Sequence, residues 1–259
     1  MSKREQPEDT LMLDVHPPHE AAHSWKDFFI HIATIVIGLL IAIGLEQTVE
    51  AIHHHHQVAD LTEQMRVEAE HNLTINDGTL AALQPQIQSF IAVQAALAAG
   101  AFHAGAVTVA PVPRPAFTSL IISPSRGTWV TAQSAGLVAL LPAEQAKLYA
   151  RLDFNAEEQV RAEDTMLQQR ALFLSECARS GYDTSSDVPS SLTPAHLGDL
   201  LFRIDQLNES MRNLAIRLVI MRGADHAIAD RVSTLDQMYA YQTKQLAKLK
   251  ASGSLGRFY

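Results

Sequence analysis

The run Phe28–Leu45 (FFIHIATIVIGLLIAIGL) constrains this chain more than any other feature. It contains no Lys, Arg, Asp or Glu, and its one titratable residue is His31. As a helix rising about 1.5 Å per residue it spans roughly 27 Å, close to the ~30 Å hydrocarbon core of a bilayer. Trp25 stands at one mouth, where an amphipathic ring suits the interface, and Glu46 closes the other. Two other readings compete. A buried core helix of a soluble protein normally carries only about 10–14 such residues. A cleaved signal peptide places its charges at the extreme N-terminus and a small-residue cleavage site after the apolar region. Here 27 residues precede the run, and Glu46-Gln47-Thr48-Val49-Glu50 follows it. The run is read as an uncleaved transmembrane anchor.

Lys and Arg near the ends of a span set its orientation, with the positive side kept inside. Lys26 lies on the leading side, with Lys3 and Arg4 further out, and the trailing side has none until Arg66. The leading tail is expected in the cytoplasm and everything after Glu46 across the membrane.

Composition narrows what the remainder does. A net charge of −8 lacks the basic footprint of a nucleic-acid binder. Cys177 is the only cysteine, so no intrachain disulfide forms; a buried thiol or an interchain disulfide are the two options. Ala, Leu, Gln and Glu dominate while Gly and aromatics are few, which favours long helices.

Residues 1–23 are too polar to fold alone. Ser24 is a plausible N-cap, with Asp27 three residues on as the acid of a capping box. The helix that starts there is expected to run to about Asn76, with Val58, Leu61, Met65, Ala69 and Leu73 at helical spacing. Asn76-Asp77-Gly78 reads as a break or kink. A new helix near Thr79 would tolerate Pro85 early in its course and bury Leu80, Leu83, Ile87, Phe90, Ile91 and Leu97. Gly100–Gly127, with Pro111, Pro113, Pro115 and Pro124, reads as an extended crossover loop. Helical pattern returns at Trp129, and Pro142 suits the first position of a helix whose apolar residues are Leu148, Leu152, Val160, Leu167, Leu172 and Leu174. After the polar linker Ser180–Thr193, Thr193-Pro194 marks the start of a last helix through Leu200, Ile204, Leu207, Met211, Leu214 and Leu218. That helix is read as continuing past Gly223 toward Leu249. No strand-like alternation of useful length and no repeat is found.

The segment HSWKDFFIHIATIVIGLLIAIGLEQTVEAIHHHHQV (His23–Val58) resembles the start of a group of uncharacterised bacterial single-span membrane proteins. Their shared pattern is Trp–acidic–Phe, an apolar run with small residues, Glu-Gln-x-Val-Glu and a His/Arg-rich stretch. TWVTAQSAG…LLPAEQAKLYARL, beginning at Thr128, is similar to their second shared block. The resemblance covers most of the chain and implies a bacterial envelope protein. It brings no activity, cofactor or catalytic residue with it. His53-His54-His55-His56 replaces the more usual mixed aromatic and Arg stretch.

Candidate chemistry is sparse. Glu50-x-x-His53 and Glu68-x-x-His71 have the spacing that di-iron bundles use, but those sites need two such motifs on different helices at one depth. Both lie on one predicted helix here, about 27 Å apart. A solvated polar band is the competing reading. His53 and His54 with Glu50 are the candidate metal ligands; a helix turns about 100° per residue, so four consecutive histidines cannot all face one ion. His31 is a candidate proton-relay residue or a neutral interfacial histidine. No Gly-x-Ser-x-Gly, phosphate loop or dinucleotide fingerprint occurs, and Ser123-Pro124-Ser125-Arg126-Gly127 reads as a turn. Thr34, Gly38 and Ala42 form a small-residue stripe suited to self-association of the anchor.

The expectation is an all-α protein. Its parts are a disordered cytoplasmic tail (1–23), an anchor with its extension (24–52), a long helix or hairpin (53–99), a Pro-rich crossover (100–127), a bundle (128–251) and a C-terminal tail (252–259), with about four long helices in all. The expected role is non-enzymatic and cofactor-free: envelope interaction or scaffolding at the inner membrane. Its partners would be the lipid bilayer, an envelope protein and a second copy through the anchor, with no nucleic acid. The alternative is a sensor-like ligand-binding bundle signalling through its anchor, and the third reading is weak metal handling. A deep, polar-lined pocket between helices favours the sensor; a solid core with an exposed apolar stripe favours the scaffold.

Overall fold

In the computed structural model the described residues are 25–112 and 123–252. The expected cap at Ser24, both tails beyond these limits and the prolines at 113 and 115 lie outside them. The first element, α1 (Trp25–Ala98), is a single helix of 74 residues. After it come β1 (Ala101–His103), β2 (Ala106–Val109), α2 (Gly127–Ser134), a 3₁₀ turn (Leu137–Leu140), α3 (Ala143–Ser180), β3 (Ser190–Leu192), α4 (Pro194–Ala229) and α5 (Leu235–Ala251). The chain divides into two compact units, Met1–His55 and His56–Tyr259.

In the first unit every described residue from Trp25 to His53 is exposed. Trp25 and Phe28 meet edge to face with ring centroids 5.8 Å apart. Mean hydropathy reaches 2.6 over the most apolar 18-residue window of α1, and none of that window is buried. Among the described helices this is the one long and apolar enough to cross a membrane.

In the second unit the later part of α1 packs with α3 and α4, and α5 lies on α4. Two apolar clusters form the core. One gathers Leu83, Ile87, Phe90 and Leu97 of α1 with Phe173 of α3 and Leu200–Leu218 of α4. The other gathers Leu61, Met65 and Ala69 with Trp129, Leu148, Tyr149, Leu152, Met221 and Met238. Thr193 caps α4 as its spacing predicts, its Oγ1 accepting from the His196 amide at 3.2 Å, with Pro194 opening the helix. Gly223 lies where α4 meets α5: a Cβ there would sit 2.7 Å from the Cα of Gln242.

The fold is all-α in substance, and it differs from the periodicity reading at five places. The Asn76-Asp77-Gly78 signal does not interrupt α1, because Asn76 spends its side chain on distant partners rather than on its own backbone. Pro85 therefore sits inside a continuous helix and forgoes one ladder bond. The crossover loop begins as a hairpin: β1 and β2 pair antiparallel with Phe102 opposite Val107, joined through Ala104 (φ +47°) and Gly105 (φ +84°). Two successive positive φ angles are what the favoured two-residue hairpin turn demands. The linker after α3 adds β3, with Val107 opposite Leu192. On α3 the inward residues are Met166, Phe173 and Cys177, whereas Leu167, Leu172 and Leu174 are exposed. The last helix passes Gly223 but stops at Ala229, and α5 restarts under a Thr234 cap.

Candidate functional site

The residues singled out by sequence fall into separate places. Glu50 and His54 approach to 3.7 Å across one helical turn, while His53 is about 100° round the axis. Among the described residues no group of three or more His, Cys, Asp or Glu is placed to hold a metal ion. His31 Nδ1–H donates to the Asp27 carbonyl at 2.7 Å. Thr34 turns its hydroxyl back to the Ile30 carbonyl at 2.8 Å, and the space beside Gly38 is open. Cys177 is buried; desolvation first, and the neighbouring Glu176 second, push its thiol up to about 12, so it is inert near neutrality.

Glu68 is not a metal ligand in waiting. Its Oε2 accepts from the Thr128 amide at 2.9 Å, the Thr128 hydroxyl at 2.8 Å and the Ser125 hydroxyl at 3.1 Å. It thereby caps α2, whose own N-cap residue, Arg126, supplies no side-chain bond. One turn on, Asn72 donates to the Ser125 carbonyl at 3.0 Å and accepts from the Ser125 amide at 2.8 Å, as a neighbouring strand would. Ser123 donates to Glu163 at 2.7 Å, and Arg126 reaches Asp153 and Glu157, each at 2.7 Å. The Asp153 bond above all holds the Arg126 guanidinium above its usual range. The segment 123–128 is thus strapped to α1 and α3 by polar groups.

Behind that strap lies a buried polar layer between the two apolar clusters. Asn76 Nδ2 donates to Asp225 Oδ2 at 3.1 Å, and Gln159 Nε2 donates to Asn76 Oδ1 at 3.1 Å and to Glu163 Oε1 at 3.0 Å. Asp225 is fully buried, and desolvation pushes its carboxyl well above the usual range; the Asn76 bond opposes this and the Glu68 charge adds to it. Sequence reading missed this layer. Its one signal is a pair of polar ladders at i, i+4, i+8: Glu68–Asn72–Asn76 on α1 and Asn155–Gln159–Glu163 on α3.

A cavity of about 480 Å³ opens where three helices and a turn converge. From α1 it takes Thr62, Glu63 and Arg66; from the start of α3, Pro142, Glu144, Gln145 and Tyr149; from the end of α4 and the turn beyond, Ile228 and 231–234. Gln145 Nε2 donates to both Thr62 Oγ1 and Tyr149 Oη at 2.9 Å, setting the orientation of all three. Glu63 accepts from Arg66 and, at 3.4 Å, from Arg231. The Arg66 bond holds the Glu63 carboxyl below its usual range. Pro142, at the N-cap of α3, supplies no capping side-chain bond. Arg231 itself has φ +57°, with its amide bonded to Ile228 O and the Val232 amide to Ala227 O. That is the left-handed closing position of a helix, where glycine is customary.

No family model, curated protein or solved structure matches this chain.

The cavity lining carries two carboxylates, Glu63 and Glu144, and two guanidiniums, Arg66 and Arg231, together with the apolar Ile228, Val232 and Pro142. The cavity thus offers hydrogen-bonding groups of both kinds and no net charge, at a size within the ~300–1,000 Å³ of ordinary ligand pockets. A shallower groove of about 540 Å³ is lined by Asp60, Gln64 and His71 together with Glu68, Ser125 and Thr128 of the strap.

Proposed function

We propose that this chain is a membrane-tethered, non-enzymatic helical bundle whose second unit binds a small, polar, net-neutral organic ligand in the cavity around Tyr149 and Arg231. The anchor is Phe28–Leu45 in a bacterial inner membrane, with the N-terminus cytoplasmic and the bundle on the far side. Apolarity on every face and the Lys26 imbalance support that placement. A periplasm-dependent reporter fused after Tyr259 is expected to be active; activity only from a cytoplasm-dependent reporter overturns the orientation.

The observation that carries the ligand reading is the cavity between α1, α3 and the α4–α5 turn, whose mainly apolar surface is set with the charged and hydroxyl groups of Glu63, Arg66, Tyr149 and Arg231. The competing reading, a scaffold presenting an apolar stripe, rests on α3, where Phe154, Leu167, Leu172 and Leu174 are exposed; the exposed Phe102, Val130, Val188 and Phe202 are spread over β1, α2, the segment before β3 and α4. A thermal-shift screen of the full chain in neutral detergent with polar, metabolite-sized compounds tests the proposal. A ligand at 100 times its Kd stabilises the folded state by about 2.7 kcal/mol. The stabilisation is expected to fall in Arg231→Gly and Thr62→Val. Absence of any stabilising compound, or equal stabilisation of both variants, sinks it.

A further inference from the structure

The buried layer around Asp225 carries an inference independent of the cavity. Two of its oxygens, Asp225 Oδ1 and Gln159 Oε1, lack a hydrogen-bond partner. Two buried donors nearby in sequence, Asn155 Nδ2 and Arg222 Nε, make no hydrogen bond either, and neither is bonded to these oxygens. If Asp225 is ionised, both acceptors stay unsatisfied, which native interiors rarely tolerate. The two residues are already joined through Asn76, which donates to Asp225 and accepts from Gln159. One proton on Asp225 Oδ1, donated to Gln159 Oε1, would satisfy both orphans at once. Each of the three residues would then donate once and accept once around a closed ring.

We propose that Asp225 is a proton-binding site, held as a neutral carboxylic acid whose hydroxyl closes the Asn76–Asp225–Gln159 ring and pins α4 to α1 and α3. The surrounding charges agree. On α1, Glu68 repels an ionised Asp225, and Asp77 is paired with Arg222. On α3, Glu163 is bonded to Gln159 and Ser123 and brings a further carboxyl to the layer. On α4, Arg222 is turned to Asp77 and Gln245, and His226 lies adjacent in sequence. On α5, Gln242 is neutral and donates to the Ile220 carbonyl. The groups acting on the Asp225 carboxyl are its own desolvation, the Asn76 amide and Glu68, and none of them is a cation.

The folded state raises the carboxyl's affinity for its proton above the unfolded value of about 3.9. Its contribution to stability is therefore complete below that value and is lost as pH rises through the folded value. Alkaline pH removes the closing bond and leaves a buried charge among oxygens, so α4 loosens against its two neighbours.

Asp225→Asn replaces the hydroxyl by an amide N–H that no pH in this range removes. Denaturant unfolding of the full chain in neutral detergent, followed by Trp129 fluorescence, is measured from pH 5 to pH 9. Relative to Asp225→Asn, the unfolding equilibrium constant of the unaltered chain is expected to rise by up to tenfold per pH unit. Parallel curves for the two proteins overturn the proposal. They would point instead to Asn155, whose Nδ2 is an orphaned donor one turn earlier on α3 and does not titrate. A second measurement stands whether or not the variant folds. Infrared spectra of the unaltered chain, with isotope-labelled aspartate, are expected to show a protonated-carboxyl band at pH 7 that disappears at high pH. Absence of that band at pH 7 overturns the proposal as firmly.

Discussion

The two stretches of α1 share one secondary structure and differ in everything else. From Trp25 to His53 each residue is exposed, and the apolar side chains of Phe28–Leu45 point in every direction round the axis. From Leu61 to Leu97 the buried residues recur every three or four positions, on one face. A helix apolar all round has no side to offer solvent and needs a surround that is apolar on every side; a striped helix needs one protein neighbour. Angular distribution, not helical propensity, records which medium each stretch was selected for. The later stretch adds a second distinction, since Asn72, Asn76 and Thr79 occupy the buried stripe between Ala69 and Leu83. Asn72 and Asn76 enter there because Ser125, Asp225 and Gln159 are placed to bond them.

The sharpest break of this comparison is a truncation made in both stretches. Phe90, fully buried and edge-to-face with Phe173 at 5.9 Å, should lose about 3–5 kcal/mol of unfolding free energy on Phe90→Ala. Ile37→Ala should leave the denaturant midpoint of the second unit unchanged, and an equal loss at both sites would erase the distinction. Next in size, Ile37→Arg should cost about 2.5–3.5 kcal/mol in membrane insertion, read as the glycosylated or inserted fraction in a translocation assay. Arg at the exposed Val67 should leave insertion unaffected. Asn72→Ala probes the polar part of the later stripe. It orphans both backbone groups of Ser125 and should cost about 1–3 kcal/mol by urea denaturation, more than Thr74→Ala on the exposed side. The smallest effect belongs to Gly38→Leu, which fills the gap between Thr34 and Ala42. It should weaken anchor self-association by about 1 kcal/mol or less in a membrane two-hybrid assay, with Leu39→Ile as the silent control. Equal signals from both variants would remove the stripe as an interface.

Much of the fold is legible in the sequence. Leu200, Ile204, Leu207, Met211, Leu214 and Leu218 all lie in the core, as their period requires, and Thr193-Pro194 starts α4. Such signals are local, so sequence displays them. The short sheet could not be read that way, because Val107 pairs with Leu192 far along the chain and neither strand is long enough to alternate visibly. On α3 leucine content misleads: Leu167, Leu172 and Leu174 look like core, yet Met166, Phe173 and Cys177 fill it. The Asn76-Asp77-Gly78 signal is outweighed by bonds to residues on other helices. The candidate sites were less legible still. Asn72, Gln159 and Asp225 carry the same letters as solvated residues, and only the convergence of three helices makes them interior. The cavity is built from side chains far apart in sequence, Thr62, Gln145 and Arg231 among them, and none of these belongs to a local motif.

The contact at Gly223 has a mechanical meaning. A side chain of any size there would run into the backbone of Gln242, so α5 touches α4 main chain to main chain with no cushion between them. Sliding α5 along α4 by one residue would bring a neighbouring Cβ of α4 into that gap. The glycine thus acts as the notch of a detent, in which α5 seats at one position along α4 or not at all.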